Sequence, residues 1–158
     1  MALKRLLKEY KQLEAEPSPY YSIMIDEKNM FNWDVLLFVP DPDSIFYQGV
    51  FKCSFKFPPT YPNKPPEFRF QSKFPHPNIY ADGKVCISIL HEGVDEFNYE
   101  HISERWNPSH SVDSVLTSIM YMLSNPNFES PANVDASVLW KNNPNEYKKV
   151  IYKYIANN

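Results

Sequence analysis

Cys86, with His76 and Asn78 a few residues ahead of it, forms the densest group of chemically capable side chains in this sequence. A thiolate is a nucleophile, an imidazole moves protons near neutral pH, and a carboxamide donates hydrogen bonds. Pro75 and Pro77 flank His76 and fix φ on either side, so the run from Pro75 to Asn78 is excluded from ordinary helix. Asp82-Gly83 then signals a turn, because glycine takes a positive φ without strain. A rigid segment, a turn and a lone thiol together present a nucleophile beside a fixed polar group. Asn78, eight residues before Cys86, is the candidate for that group.

The second cysteine reads differently. Cys53 is in phase with Phe51, Phe55 and Phe57, against Lys52, Ser54 and Lys56. Period-two alternation places it on the buried face of a strand as a small hydrophobe. Cys86 lies outside any such alternation, so Cys86 is the reactive thiol. Two cysteines with no CxxC pair supply neither a disulfide framework nor a metal site.

The elements that must position Cys86 follow from periodicity. Residues 2–16 have Leu3, Leu6, Leu7, Tyr10 and Leu13 at helical spacing, which predicts an amphipathic helix buried along that stripe. Lys4, Lys8 and Lys11 share another face, with Arg5 beside them. Four strands follow, centred on Tyr21–Ile25, Phe31–Val39, Phe51–Phe57 and Phe68–Phe70. Their connections are too short for crossover helices, so the sheet is expected to be an antiparallel meander. Between strands three and four, Pro58 to Pro66 holds five prolines and reads as a stiff loop, in which Tyr61–Pro62 is a candidate cis bond. Ser111 is placed to cap a helix over 112–124 whose core face is Val112, Val115, Leu116, Ile119, Met122 and Leu123. A short helix is expected around Val134–Lys141. A last one starts at Asn143-Pro144, with Tyr147, Val150, Ile151, Tyr154 and Ile155 inward.

Composition bounds the rest. With 158 residues, 43% hydrophobic and 16% aromatic, the chain suits one packed domain spanning 1–158, with no tail or second domain expected. A net charge of −3 argues against nucleic acid as a main partner, since phosphate binding wants a basic surface. No apolar run reaches the ~18 residues of a membrane span and no signal peptide opens the chain. The expectation is a soluble protein of a reducing compartment, without direct membrane insertion.

His76-Pro77-Asn78, its spacing to Cys86 and the later Trp106-Asn107-Pro108 resemble the active-site signature of ubiquitin-conjugating enzymes. Tyr61-Pro62-Asn63-Lys64-Pro65-Pro66 resembles the YPxxPP motif of the same family, and the resemblance runs over essentially the whole chain. It implies an α+β fold: an N-terminal helix, a four-stranded antiparallel meander, an active-site loop and three further helices. It also implies that Cys86 accepts ubiquitin as a thioester from the activating enzyme and passes it to a lysine with a RING-type ligase. No cofactor is implied, because ATP is used by the activating enzyme. Lys4, Arg5, Lys8, Asn63, Pro108 and Ser109 fall where the family binds activating enzyme and ligase, although Asn63 replaces an apolar residue. Ser114, Thr117 and Tyr121 would face the bound ubiquitin.

Twenty positions separate Cys86 from Trp106, more than in compact members, and Ser130 stands at the gate position where those members carry an aspartate. Both features, with Asn133-Val134-Asp135-Ala136-Ser137, resemble the acidic-loop subclass, most of all the G type. That type serves degradation at the endoplasmic reticulum and builds proteasome-targeting chains. The implied location is cytoplasmic, with recruitment to that membrane's surface.

The implied reaction has an easy and a hard half. At a pKa of ~8.5 about 3% of a thiol is thiolate at pH 7, which suffices for thioester exchange without a His–Cys ion pair. Deprotonating the attacking lysine at pH 7, from a pKa near ~10.4, costs about 4.6 kcal/mol. Asp95 and Glu96 are the candidate carboxylates for that step, with His91 behind them. The loop from His91 to Glu104, which includes Phe97 and Tyr99, is expected to be mobile until a partner orders it over the site. Asn78 admits two roles, oxyanion donor or structural amide. His76, clamped by prolines, reads as an orienting residue with Pro77 in a structural part. Three alternatives stay open: a conjugating enzyme for another ubiquitin-like modifier, a non-catalytic ubiquitin-binding relative, and a cysteine hydrolase. The last would want a free histidine near Cys86.

Overall fold

Alternation along the strands produces a sheet with one face buried and one wet. β1 (Tyr21–Asp26), β2 (Asn29–Phe38), β3 (Val50–Lys56) and β4 (Glu67–Phe70) pair antiparallel in that order, as the short connections predict. The computed structural model describes residues 1–97 and 100–158; Tyr99, counted above among the loop aromatics, lies outside them. Ahead of the sheet comes α1 (Ala2–Ala15), and after it α2 (Val112–Ser124), α3 (Val134–Asn142) and α4 (Pro144–Ala156). The α+β architecture expected from the sequence is the one observed.

Register places Val35 opposite Cys53, and Cys53 opposite Phe70. Cys53 is therefore inside the aromatic core at 0% exposure, and burial raises its thiol pKa well above the usual range. Trp33 meets Tyr10 of α1 edge-on at 5.8 Å and Phe57 at 4.9 Å, which ties the first helix to the sheet.

α2 begins where Ser111 marks its start. Ser111 Oγ accepts from the Ser114 N–H at 3.2 Å and Ser114 Oγ accepts from the Ser111 N–H at 3.1 Å, a reciprocal capping box. All six residues named for its core face are buried. At the start of α4, Asn143 Oδ1 caps the Glu146 N–H at 3.3 Å and Pro144 occupies the first turn.

Two buried stripes differ from expectation. On α1, Leu3 and Leu7 are exposed at 44% and 38%, whereas Ala2, Leu6 and Glu9 are buried. The helix rolls so that the i, i+4, i+7 row of Ala2, Leu6 and Glu9 faces inward, leaving the leucines of the next row at its edge. On α4, Tyr147 and Ile151 are buried while Val150 is exposed at 39%, again one position around the helix.

Candidate active site

The proline-flanked segment is fastened from three directions. Tyr147 of α4 donates its hydroxyl to the Pro75 carbonyl at 2.6 Å, and the Asn133 N–H, which caps α3, donates to the Pro77 carbonyl at 3.0 Å. His76 is wholly buried among Phe46, Phe74 and Trp140. Its Nε2 lies 3.1 Å from the Met122 carbonyl and 3.2 Å from that of Leu123, while the Asn78 N–H donates to its Nδ1 at 3.0 Å. Those partners require the neutral Nε2–H tautomer. Burial drives the imidazole pKa down to about 4, against the opposing pull of the two carbonyls. This histidine orients a backbone and has no free nitrogen for catalysis.

Asp82-Gly83 then reverses the chain. Gly83 has φ +92°, and a Cβ there would lie 2.1 Å from the Phe70 carbonyl oxygen, so only glycine fits. The reversal pairs Ile79 with Val85 and lets the Cys86 N–H donate to the Asn78 carbonyl at 2.9 Å. Residues eight apart in sequence thereby become neighbours. The Asn78 side chain is 3% exposed; its Nδ2 donates to the Asn127 carbonyl and its Oδ1 accepts from the Asn127 N–H, both at 2.9 Å. One of the two Nδ2 hydrogens is left without another partner among the described residues.

Cys86 is half-buried at the edge of a cavity of 590 Å³, lined among others by Pro58, Lys64, Tyr80, Lys84, Leu90 and His91. A single 3-10 turn, Ser88–Leu90, follows Cys86 and brings the His91 ring back toward it. His91 Nε2 stands 3.5 Å from Cys86 Sγ, and the Tyr80 hydroxyl 3.8 Å from the same sulfur. On its other nitrogen, His91 Nδ1 meets Glu100 at 2.7 and 3.0 Å, and Arg105 braces Glu100 at 3.2 Å. Hydrogen bonding to His91 holds the Cys86 thiol below its ordinary pKa, opposed by burial and helped by Tyr80. The same contact raises His91, with burial opposing and Glu100 adding to the rise. A histidine thus stands beside Cys86 after all, as His91 held between the sulfur and Glu100, and the thiol is not an unperturbed one.

The described part of the following loop is pinned at its base and across its span. The Trp106 N–H donates to the His91 carbonyl at 2.9 Å, and Arg105 donates to the carbonyls of Gly93 and Glu92 at 2.8 Å each. Asp95 uses its carboxylate on the N–H groups of Phe97 and Glu100, at 3.0 and 2.9 Å, and Glu96 is exposed. Of the described side chains of this loop, those that converge on the sulfur are His91 and, through it, Glu100 and Arg105. Arg105, Tyr80 and Asn127 carried no signal in the sequence; Glu100 did as one acid among several.

The residues expected to dock partners gather on one side. Trp106 donates its indole N–H to the Pro62 carbonyl at 2.8 Å, which holds the Pro-rich loop against the segment 106–110. Asn63, Pro108 and Ser109 are exposed there, as are Lys4 and Lys8 on α1. Arg5 is different: it donates to the carbonyls of Pro108 and His110 at 3.0 and 2.8 Å, pairs with Glu9 at 3.0 Å, and lies over the Tyr61 ring. It staples α1 to the loop. Glu9, which sequence reading missed, is 6% exposed and accepts from Tyr61 at 2.5 Å and from the Val112 N–H at 2.8 Å. It thereby joins α1, the Pro-rich loop and the start of α2. Thr117 and Tyr121 are exposed on α2, Tyr121 at 69%, while the Ser114 hydroxyl is engaged in the capping box. Ser130 is exposed. Among the described residues no group of three His, Cys, Asp or Glu side chains stands close enough to hold a metal, and no helix is long and apolar enough to cross a membrane.

Residues 5–155 match the family model described as ubiquitin-conjugating enzyme. The chain is 47% identical over 152 residues to Ubiquitin-conjugating enzyme E2 7 of Arabidopsis thaliana, covering 95% of this chain and 91% of that protein. To Ubiquitin-conjugating enzyme E2 G2 of Homo sapiens it is 46% identical over 151 residues, 94% and 91% of the two chains. To Ubiquitin-conjugating enzyme E2 15 of Schizosaccharomyces pombe it is 40% identical over 152 residues, 95% and 90%.

Proposed function

This chain belongs to the ubiquitin-conjugating enzyme family, and from that premise we propose that Cys86 is the thiol that carries ubiquitin. The activity is thioester transfer: ubiquitin arrives from an activating enzyme, is held on a cysteine, and passes to an amine with the help of a ligase. One observation carries the assignment to Cys86. Of the two thiols, Cys53 is sealed in the core while Cys86 opens onto a cavity, with its N–H held by the Asn78 carbonyl. Incubating the protein with activating enzyme, ATP and ubiquitin, then running a gel with and without reductant, tests it. A band that reductant removes supports the reading; none at all overturns it.

Asn78 takes the role of oxyanion donor through its remaining Nδ2 hydrogen, pre-aimed by the clamp to Asn127. Asp95 and Glu96 place negative charge near the path of an incoming lysine ammonium and attract it. Exposed Lys4 and Lys8 meet the activating enzyme. Asn63, Pro108 and Ser109, brought together by the Trp106–Pro62 bond, form the surface for a RING-type ligase. Thr117 and Tyr121 on α2 face the donor ubiquitin, with Ser114 at the edge of that face and Ser130 in the gate segment. The reaction needs no resident cofactor, ATP being consumed by the activating enzyme. The reading of degradation-type chains made in the cytoplasm at the surface of the endoplasmic reticulum rests on the resemblance of the Cys86–Trp106 spacing and Ser130 to the G type.

A further inference from the structure

We propose that His91 is the proton relay of the thioester reaction: its Nε2 takes a proton from the attacking amine and hands it to the departing sulfur of Cys86. The proposal rests on the Cys86 reading above and adds to it the group that moves the proton.

The contacts determine which nitrogen is available. Glu100 meets His91 Nδ1 at 2.7 and 3.0 Å, and an ionised carboxylate only accepts hydrogen bonds. Nδ1 therefore carries the hydrogen, and in the neutral ring the lone pair lies on Nε2. That is the nitrogen 3.5 Å from Cys86 Sγ. Arg105 fixes the carboxylate from behind at 3.2 Å, while its other nitrogens hold the carbonyls of Gly93 and Glu92. Arg105, Glu100 and His91 thus stand in line on one sulfur. An insertion kept only for solubility has no need of that alignment. His76 cannot substitute, because main-chain groups occupy both its nitrogens.

The site also has room for the second reactant. The 590 Å³ cavity is lined by both Cys86 and His91, so an amine entering there meets the thioester and the imidazole from the same side.

The proton count balances without any further reagent. A lysine ammonium first loses one proton to solvent. The nitrogen lone pair then forms a bond to the thioester carbonyl carbon, and the carbonyl π pair moves onto oxygen. The nitrogen, now cationic and acidic, gives its second proton to His91 Nε2, leaving an imidazolium paired with Glu100. The oxyanion collapses, the C–S bond breaks with its electron pair going to sulfur, and the imidazolium returns the proton to Sγ. Thioester and amine become amide and thiol, and His91 ends as it began.

Several groups set the pH at which this works. Cys86 faces Nε2, Tyr80 lies across the sulfur, Glu100 and Arg105 stand behind Nδ1, and Lys64, Lys84 and Glu92 line the cavity. Once the sulfur is acylated its pull on His91 is gone and the Glu100 contact is what still raises the imidazole.

The test uses the full chain, charged with ubiquitin and separated from activating enzyme. Single-turnover discharge to free lysine is followed across about pH 5.5–8.5, where histidines titrate. His91→Asn should still form the reductant-sensitive adduct but discharge about 10²–10⁴ more slowly, the usual range for a lost general base. Its pH profile should then rise only as free lysine amine accumulates, without the steeper low-pH part that titration of His91 adds. Glu100→Gln should keep that steeper part and move it to lower pH. In the uncharged protein, the pH midpoint for alkylation of Cys86 by iodoacetamide should rise in His91→Asn. Discharge by His91→Asn at the wild-type rate with the wild-type profile overturns the relay while leaving Cys86 as the carrier. A slower rate with an unchanged profile also overturns it. Absence of an adduct in the wild type removes the Cys86 reading, and the relay with it.

Discussion

The side chain of Asn78 and the main chain of Asn127 close on each other through two hydrogen bonds, Nδ2 to carbonyl and Oδ1 from N–H, each 2.9 Å. The pair orients the amide and also anchors the loop after α2, so Asn78 has a structural and a chemical part at once. Asn78→Ala should cost about 1–3 kcal/mol of stability through the unpaired groups. It should slow lysine discharge by about 10²–10³, the usual penalty for one lost oxyanion donor. Thiol-to-thiol charging should suffer less, because a thiolate is the better leaving group. Equal losses in both steps, beside a lower melting temperature, would leave Asn78 as structure alone.

Exchange at the two cysteines separates core from chemistry. Cys86→Ser should convert the reductant-sensitive ubiquitin adduct into a stable ester. Cys53→Ala should charge normally and melt at lower temperature, since it empties part of the packed core. A reductant-sensitive adduct that persists in Cys86→Ser would move the carrier elsewhere.

Asp95→Asn with Glu96→Gln tests the acidic loop. Asn keeps one oxygen acceptor but sets an NH2 donor where the other accepted, so one of the bonds to the Phe97 and Glu100 N–H groups goes with the charge, and a thermal melt of the variant reads that structural loss separately. Discharge should slow at neutral pH and partly recover as pH rises, when more of the lysine is already free amine. Charging by the activating enzyme should not change. Wild-type discharge at every pH would reduce the two acids to a solvated surface.

His76 predicts an acid limb in stability. Its folded pKa, about 4, lies below the ordinary value of ~6.5, so between those values the unfolded chain binds more protons. The contribution is whole above about pH 6.5 and is lost as pH falls toward 4, amounting to roughly 3 kcal/mol. The His76 ring resonances should stay those of a neutral imidazole at about pH 5.5, where a free histidine is mostly charged. An ordinary titration midpoint would contradict the burial argument.

Arg5 and its neighbouring lysines should behave oppositely. Arg5→Ala removes bonds to Pro108 and His110 and leaves buried Glu9 without its cation, so it should lower stability by about 1–3 kcal/mol. Lys4→Glu with Lys8→Glu should leave the melting temperature within error and raise the apparent KM for charging, because both side chains are exposed. Thermal melts and charging titrations on the two variants decide between these roles.

What the sequence alone determined is whatever depends on local periodicity and turn chemistry. Strand phase separated Cys53 from Cys86, Ser111 marked the start of α2, and Asp82-Gly83 announced the reversal that sets Cys86 against Asn78. These are properties of a few consecutive residues, and the physics that decides them is equally local. Tertiary structure decided the rest. Whether Leu3 and Leu7 face the core depends on how α1 rolls against the sheet, and Glu9 is buried because a tyrosine 52 residues away and an N–H 103 residues away converge on it. The clamp from Asn78 to Asn127 spans 49 residues, and His91, Glu100 and Arg105 reach the sulfur through a loop with no repeating pattern. Such meetings follow from the summed path of every turn and helix between the partners, which no spacing along the chain encodes.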